Sequence, residues 1–106
     1  MRRVKVVESD WDVYSHLLLA PDGEVWTTAV STTKQANFHP LAGFYMRTRK
    51  GVWQAPERLS PEGAVNIDAR WDQTPRLVLH RGKVRIFYAE APSRSGSFRF
   101  LQRVFE

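Results

Sequence analysis

Side chains that could bind a sugar occur together at two places in the sequence. An exposed indole ring can stack on the apolar face of a pyranose, while charged groups beside it form hydrogen bonds to the hydroxyls. The residues of this kind are Asp10, Trp11, Asp12 and Tyr14 at the first place and Arg70, Trp71 and Asp72 at the second. The alternative is that Trp11 and Trp71 pack between neighbouring sheets while the aspartates cap turns, a common role of Trp-Asp pairs in repetitive β proteins.

Arg47 is the candidate for binding an acidic group. Together with Arg49, Tyr45 and Trp53 it forms a stripe of arginine and aromatic residues. A guanidinium group can hold a carboxylate or a phosphate through two parallel hydrogen bonds, so Arg47 is included among the candidate ligand-binding residues. The alternative for this stripe is a cation that lies over the ring of Trp53 on an outer strand.

The sequence gives no sign of a metal site, a cofactor or a catalytic set. His16, His39 and His80 lack the spacing of metal ligands, and the chain has no cysteine. Neither a Gly-x-Ser-x-Gly elbow nor a Gly-x-Gly phosphate loop occurs. We therefore expect no metal, no cofactor and no catalytic residue, and favour a binding protein, with an enzyme as the alternative.

The two Trp-Asp pairs belong to an internal repeat. Trp11-Asp12 is followed by Leu17-Leu18-Leu19, and sixty residues later Trp71-Asp72 is followed by Leu77-Val78-Leu79. Further along, the aligned residues are Val25 with Val84, Thr27 with Ile86 and, after a five-residue deletion, Phe44–Met46 with Phe98–Phe100. We interpret the chain as a single β domain made of two repeats, about 1–60 and 61–106.

Alternation of apolar and polar residues predicts strands along almost the whole chain. Turns that contain Gly or Pro separate the strands, as at 21–23, 50–51 and 81–82, and no stretch has a capped helical stripe. The predicted strands are 2–8, 15–20, 24–31, 43–49, 64–69, 75–80, 83–90 and 97–105. The expected fold class is all-β, with four antiparallel strands in each repeat.

The repeats resemble the blades of sialidase-like β-propellers, which carry repeats of the BNR or aspartate-box type. The resemblance rests on an apolar strand, a Gly turn and a second strand at 17–30 and 76–91, and on the aromatic-Arg pair and Gly-x-Trp of 43–60. Residues 22–26 are similar to the aspartate-box turn, with Ala20 where Ser or Thr is usual. The resemblance implies two four-stranded antiparallel propeller blades per chain.

A chain with two blades is too short to close a propeller alone, because propellers usually have four to eight blades. We therefore expect a homo-oligomer, with a trimer of six blades as the preferred ring. Residues 2–8 would then be the outer strand of a blade whose other strands, within 75–105, belong to a neighbouring copy. The alternative is a monomeric eight-stranded β-barrel with an interior cavity.

The chain is basic, with 16 Lys and Arg against 11 Asp and Glu and a net charge of +5. A positive charge favours anionic partners such as acidic glycans, phosphate or nucleic acid, although the arginines are spread along the whole chain. No apolar run reaches the ~20 residues of a membrane span. The start of the chain lacks the apolar core of a signal peptide, so we expect a cytoplasmic protein as coded, without a membrane partner.

The leading hypothesis is a non-catalytic, homo-oligomeric, lectin-like binding module with sites between its blades. Its partners would be further copies of itself and a glycan. One alternative is a sialidase-like glycoside hydrolase fragment, which turnover of a glycoside would favour. The other is a basic scaffold for nucleic acid or protein, and a steep salt dependence of binding would favour nucleic acid.

Overall fold

The computed structural model describes residue 3 and residues 15–32, 41–66, 75–92 and 97–106. Within these ranges the chain forms eight β-strands and no helix, so none of it is a helix that could cross a membrane. The strands are β1 (Ser15–Leu19), β2 (Val25–Thr32), β3 (Leu41–Arg49), β4 (Val52–Trp53), β5 (Glu57–Arg58), β6 (Arg76–His80), β7 (Lys83–Glu90) and β8 (Arg99–Phe105). The prediction of an all-β fold with antiparallel strands is confirmed.

Two of the predicted strands are not among these eight. The strand predicted at 2–8 lies outside the described residues except for residue 3, which is not in a strand. In the described part of the strand predicted at 64–69 there is only an isolated bridge between Val65 and Ala91. The strands β4 and β5 were not predicted, because two residues are too few to show an alternating pattern.

The described strands form two separate antiparallel sheets. Sheet 1 has the order β1-β2-β3-β4, with β5 also paired to β3, and sheet 2 has the order β6-β7-β8. Sheet 2 and strands β1 to β4 of sheet 1 are meanders, since strands that follow each other in the chain are neighbours in the sheet, whereas β5 pairs with β3 and not with β4. These are two open sheets rather than the single closed barrel that was the alternative. No described strand pairs with the outer edge of β8.

Two hairpin turns have the backbone geometry that suits twisted antiparallel strands. Lys50 and Gly51, between β3 and β4, have φ angles of 51° and 77°. Arg81 and Gly82, between β6 and β7, have φ angles of 53° and 74°. Two-residue turns with positive φ at both positions match the right-handed twist of the strands they join. Glycine takes this conformation without steric cost, which is why a glycine fills the second position of each turn.

The two sheets pair their first two strands in the same register. Leu17 lies opposite Thr27 in sheet 1, and Leu77 lies opposite Ile86 in sheet 2. These are the residues that the sequence repeat aligns with each other. The paired strands of the β1–β2 and β6–β7 hairpins therefore share one register, although their turns differ in length.

The third strands correspond in a different register from the one the sequence suggested. Ala29 lies opposite Phe44, 15 positions later, and its counterpart Tyr88 lies opposite Leu101, 13 positions later. Phe44 therefore corresponds to Leu101 rather than to Phe98, and the deletion is two residues rather than five. The sequence alignment matched the similar runs 44–46 and 98–100. This match is wrong, because Phe98 lies before β8 begins.

The hydrophobic core lies between the two sheets, which face each other. The rings of Trp26 and Tyr45 from sheet 1 contact the ring of Phe105 from sheet 2, with centroid distances of 4.7 and 5.0 Å. Ile86 of sheet 2 is fully buried in the same cluster. Burial of a side chain of this size contributes about 1.5–3 kcal/mol, so this cluster is a main source of the cohesion between the sheets.

Two hydrogen bonds also cross between the sheets. The hydroxyl of Thr28 donates to the carbonyl of Pro75 at 2.8 Å, and the backbone N–H of Leu77 donates to Nδ1 of His16 at 2.8 Å. His16 therefore acts as a hydrogen-bond acceptor at the contact between β1 and β6, which is a structural role.

The segment 59–66 ties the sheets together through one buried amide. Oδ1 of Asn66 accepts a hydrogen bond from the N–H of Gly43 at 2.7 Å, and its Nδ2 donates to Oγ of Ser60 at 2.8 Å and to the carbonyl of Ala89 at 3.1 Å. Gly43 belongs to β3 and Ala89 to β7, so a single side chain bonds to both sheets. A Cβ atom on Gly43 would lie 3.2 Å from Oδ1 of Asn66, which explains the need for a glycine there.

Candidate functional site

Arg47 is the candidate ligand-binding residue that the structure describes. The other candidates lie outside the described residues, and their role stays a prediction: Asp10, Trp11, Asp12, Tyr14, Arg70, Trp71 and Asp72. The site is therefore built from Arg47 outward.

Arg47 on β3 lies directly opposite Trp26 on β2. Partners across an antiparallel pair project from the same face, and the guanidinium carbon of Arg47 lies 4.3 Å from the centroid of the Trp26 ring. The alternative of a cation over Trp53 is wrong for Arg47, because Trp53 pairs with Thr48 and projects from the other face of sheet 1. The buried ring of Trp26 holds the guanidinium in place but is itself closed to a ligand.

An open groove of about 410 Å³ borders Arg47 at the edge between the two sheets, and we call it the Arg47 groove. Its wall on sheet 1 carries Arg47 and Arg49, and its wall on sheet 2 carries Phe105. The two arginines project from the same face because they are two positions apart on β3. The groove thus presents two guanidinium groups beside a partly exposed aromatic ring.

Two carboxylates at the groove already have partners. Asp22 accepts a hydrogen bond from the backbone N–H of Glu24 at 3.0 Å, and Glu106 forms an ion pair with Lys83 at 2.9 Å. Within the part of the chain that the structure describes, no carboxylate forms an ion pair with Arg47 or with the second groove arginine. Their positive charge is therefore not neutralised by these acids.

A second groove of about 320 Å³ adjoins the first and shares Arg47, Arg49 and Phe105 with it. Here the hydroxyl of Tyr45 donates a hydrogen bond to the carboxylate of Glu57, which lies opposite it on β5. Burial, followed by this hydrogen bond, raises the pKa of Tyr45. The phenol therefore stays protonated and acts as a hydrogen-bond donor beside the two arginines.

Glu24 fixes the turn that follows the two arginines. Its carboxylate accepts hydrogen bonds from the hydroxyl of Thr48 at 2.8 Å and from the backbone N–H groups of Lys50 and Gly51, the latter at 3.0 Å. The bond from Gly51, followed by that from Thr48, lowers the pKa of Glu24. The hydroxyl of Thr48 also accepts a hydrogen bond from the N–H of Val25 at 2.9 Å. The end of β3 that carries the groove is thus tied to β2.

The Arg47 groove lies at the end of the sheets where the hairpin turns are found. The turn 20–24 follows β1 and the turn 81–82 follows β6. The segments with the Trp-Asp pairs lie outside the described residues, so the groove is described without them.

Sequence reasoning missed Trp26, Phe105 and Glu57 as parts of this site. The pairing of Trp26 with Arg47 is a consequence of the β2–β3 register. The connection between these strands is too long for its turn chemistry to fix that register, so only the alternation of buried residues could have indicated it.

No protein-family model matches this chain, and no curated protein and no solved structure is significantly similar to it. The resemblance to sialidase-like blades therefore stays a prediction. The described ranges hold no group of three or more His, Asp or Glu side chains that could bind a metal ion. What the described arrangement can do is bind an anion through two guanidinium groups beside an aromatic ring.

Proposed function

We propose that this protein is a non-catalytic, lectin-like binding module. It would be a β-propeller with two blades per chain that closes into a ring by homo-oligomerisation, preferably as a trimer with six blades. Two antiparallel meander sheets packed face to face support this architecture. The outer edge of β8 supports it as well, because a strand from a neighbouring copy could add there.

The Arg47 groove is the observation that carries the binding function. Stacking on Trp26 positions Arg47 before any ligand arrives, so less side-chain freedom is lost on binding. Arg49 adds a second guanidinium from the same face, and Phe105 offers an apolar surface to a sugar ring. These groups fit a glycan that carries a carboxylate, and the net charge of +5 attracts such a ligand.

Isothermal titration of the protein with an oligosaccharide that contains a uronic acid, and with its neutral counterpart, tests the proposal. We expect only the acidic ligand to bind, and Arg47→Ala to weaken its binding by about tenfold or more, equivalent to about 1.4 kcal/mol. Arg58→Ala is the matched control. Its guanidinium lies over Phe44 on the opposite face of sheet 1, and its removal should change the affinity less than about twofold.

Equal binding of the acidic and neutral oligosaccharides would exclude the groove as an anion site. An affinity that Arg47→Ala leaves unchanged would do the same. Binding of polynucleotides with a steep salt dependence would instead favour the basic scaffold.

The hydrogen bond between Tyr45 and Glu57 supports one other function, glycoside hydrolysis. In that reaction Tyr45 would attack the sugar carbon while Glu57 takes the phenolic proton; the bond to the aglycone breaks, the departing oxygen takes a proton from water, and a second water then hydrolyses the tyrosyl–sugar bond. The raised pKa of Tyr45 argues against this role, because it disfavours the phenolate. Turnover of an aryl glycoside that Tyr45→Phe abolishes would establish a hydrolase in place of a lectin.

A further inference from the structure

Each sheet has an apolar face that points away from the other sheet. In sheet 2 we call it the Phe87 face; it carries Phe87, Phe100 and Val104, and Phe100 is 74% exposed. In sheet 1 we call it the Leu17 face; it carries Leu17 and Leu19, which are 67% and 69% exposed. Exposed apolar side chains grouped on one surface indicate contact with another molecule.

The contact between the sheets inside the chain uses the other two faces. Sheet 1 contributes the face that carries Leu18 and Trp26, the Trp26 face. Sheet 2 contributes the face that carries Leu77 and Ile86, the Ile86 face. The internal contact thus joins two faces that are different from each other.

The repeat relates the exposed faces to the buried ones. Leu77 and Ile86 correspond to Leu17 and Thr27, so the Ile86 face of sheet 2 corresponds to the Leu17 face of sheet 1. This correspondence does not depend on how the loops are aligned. Leu17 lies directly opposite Thr27 in one hairpin, just as Leu77 lies directly opposite Ile86 in the other.

The second correspondence runs in the opposite direction. Leu18 and Trp26, which pair across β1 and β2, correspond to Val78 and Arg85, which pair across β6 and β7. The Trp26 face of sheet 1 therefore corresponds to the Phe87 face of sheet 2. Each chain has one pair of complementary faces buried against each other and a second, equivalent pair exposed.

We infer that the Phe87 face of one copy binds the Leu17 face of a second copy, in the geometry of the contact between the sheets inside the chain. This inference rests on the proposed ring and identifies the surfaces that close it. Because the two faces differ, copies add head to tail, and every open assembly keeps one free face of each kind until the ring closes.

Arg85 gives an independent observation at the Phe87 face. Its Nε atom is buried and has no hydrogen-bond partner among the residues the structure describes. Arg85 corresponds to Trp26, which packs on Phe105; the counterpart of Phe105 is Thr48, whose hydroxyl is bonded to Glu24. The repeated contact would therefore bring the Arg85 guanidinium of one copy, whose Nη1 donates to Gln102 of the same chain, to the side of the next copy that carries the Glu24 carboxylate, which is a match of opposite charges.

Two substitutions test the contact, one on each face. Leu17→Asp and Phe100→Asp place a charge in the proposed interface, and both side chains are too exposed to support the fold of a single chain. Each variant alone should sediment as a monomer. An equimolar mixture should form a one-to-one dimer and nothing larger, because each variant keeps the face that the other has lost.

Val52→Asp is the matched control. Val52 is 55% exposed and pairs with Arg49, so it lies on neither of the two faces. This variant carries the same new charge and should keep the sedimentation coefficient of the wild-type assembly.

The outcomes separate this inference from the function on which it rests. If either face variant still forms the wild-type oligomer, the proposed interface faces are wrong, while ring closure itself is not contradicted. Two monomeric variants that stay monomeric when mixed overturn the head-to-tail arrangement. A wild-type protein that is monomeric at every concentration overturns ring closure, and this inference with it, whereas glycan binding by the Arg47 groove of one chain is measured separately.

Discussion

Replacing Asn66 with alanine is expected to remove the polar link between the two sheets. The Asn66 amide accepts a hydrogen bond from Gly43 in sheet 1 and donates one to the carbonyl of Ala89 in sheet 2. A third bond, to the hydroxyl of Ser60, holds the connecting segment against them. Asn66, Ser60 and Gly43 are all buried, so water does not readily replace the lost partner.

The expected loss of stability is about 2–6 kcal/mol. A buried Gly43 N–H without a partner costs about 1–3 kcal/mol, and the bonds to Ser60 and Ala89 contribute about 0.5–1.5 kcal/mol each. The unfolding entropy is about 2.1 cal/mol/K per residue. For 106 residues the Tm of Asn66→Ala should therefore be lower by about 9–27 °C.

Thermal unfolding followed by near-ultraviolet circular dichroism measures this difference. Wild type and variant are compared at one protein concentration, because assembly makes the Tm concentration-dependent. Gln54→Ala is the control: its amide donates only to the carbonyl of Val52, two residues away, and its loss should cost less than about 0.5 kcal/mol. If Asn66→Ala lowers the Tm no more than this control, the buried amide does not hold the sheets together.

Three further predictions concern the groove turn, the Trp-Asp pairs and the chain start. Because the pKa of Glu24 is lowered in the folded state, its contribution to stability is present above the unfolded pKa of about 4.3 and is lost as the pH falls through the folded value. Melts from neutral to acidic pH should show a smaller acid loss for Glu24→Gln than for wild type, and parallel curves would contradict this. Trp11→Ala and Trp71→Ala should weaken glycan binding with little change in Tm if these rings bind sugar, whereas a packing role predicts a loss of about 3–5 kcal/mol in each. Deletion of residues 1–8 should prevent assembly, and a truncated chain of unchanged oligomeric mass would refute strand donation.

The sequence is informative about the hairpins of this fold because their turns are short. Glycines at the second turn positions fix the β6–β7 register, and the repeat then predicts that of β1–β2. The third strand follows a long connection in both repeats, so turn chemistry does not fix its register. The repeat alignment there rested on similar aromatic residues instead. The packing around Gly43 shows what fixes the position of the third strand. A Cβ atom at Gly43 would contact Leu59, Asn66 and Pro75, which come from distant parts of the chain. Such contacts leave no periodic signal in the sequence.

The candidate site was predictable to the same extent. Arg47 is a candidate anion-binding residue by its type and its neighbours in the strand. Its stacking partner Trp26 follows only from the pairing of β2 with β3, and the contribution of Phe105 only from the packing of sheet 2 on sheet 1. Residue types thus indicate the chemistry of the groove, while its geometry is a product of tertiary structure.

The repeat also predicts how many ligands the proposed assembly would bind. In the proposed contact between copies, the residue at the place of Arg47 would be Val104, because the aligned third strands put Gln102 opposite Phe87 and Tyr45 opposite Thr28. The residue at the place of Arg49 would then be Glu106. A groove between copies would therefore lack both guanidinium groups.

An acidic glycan should consequently bind once per chain rather than once per sheet contact. Titration calorimetry on the assembled protein should give a stoichiometry of about one ligand per chain for the Arg47 groove, and the multivalency of the ring then equals the number of its chains. A stoichiometry of about two would mean that both kinds of contact bind the ligand, which the valine and the glutamate between copies do not allow. The Arg47→Ala variant completes the argument, because it should weaken all of this binding by about tenfold or more without creating a second class of sites.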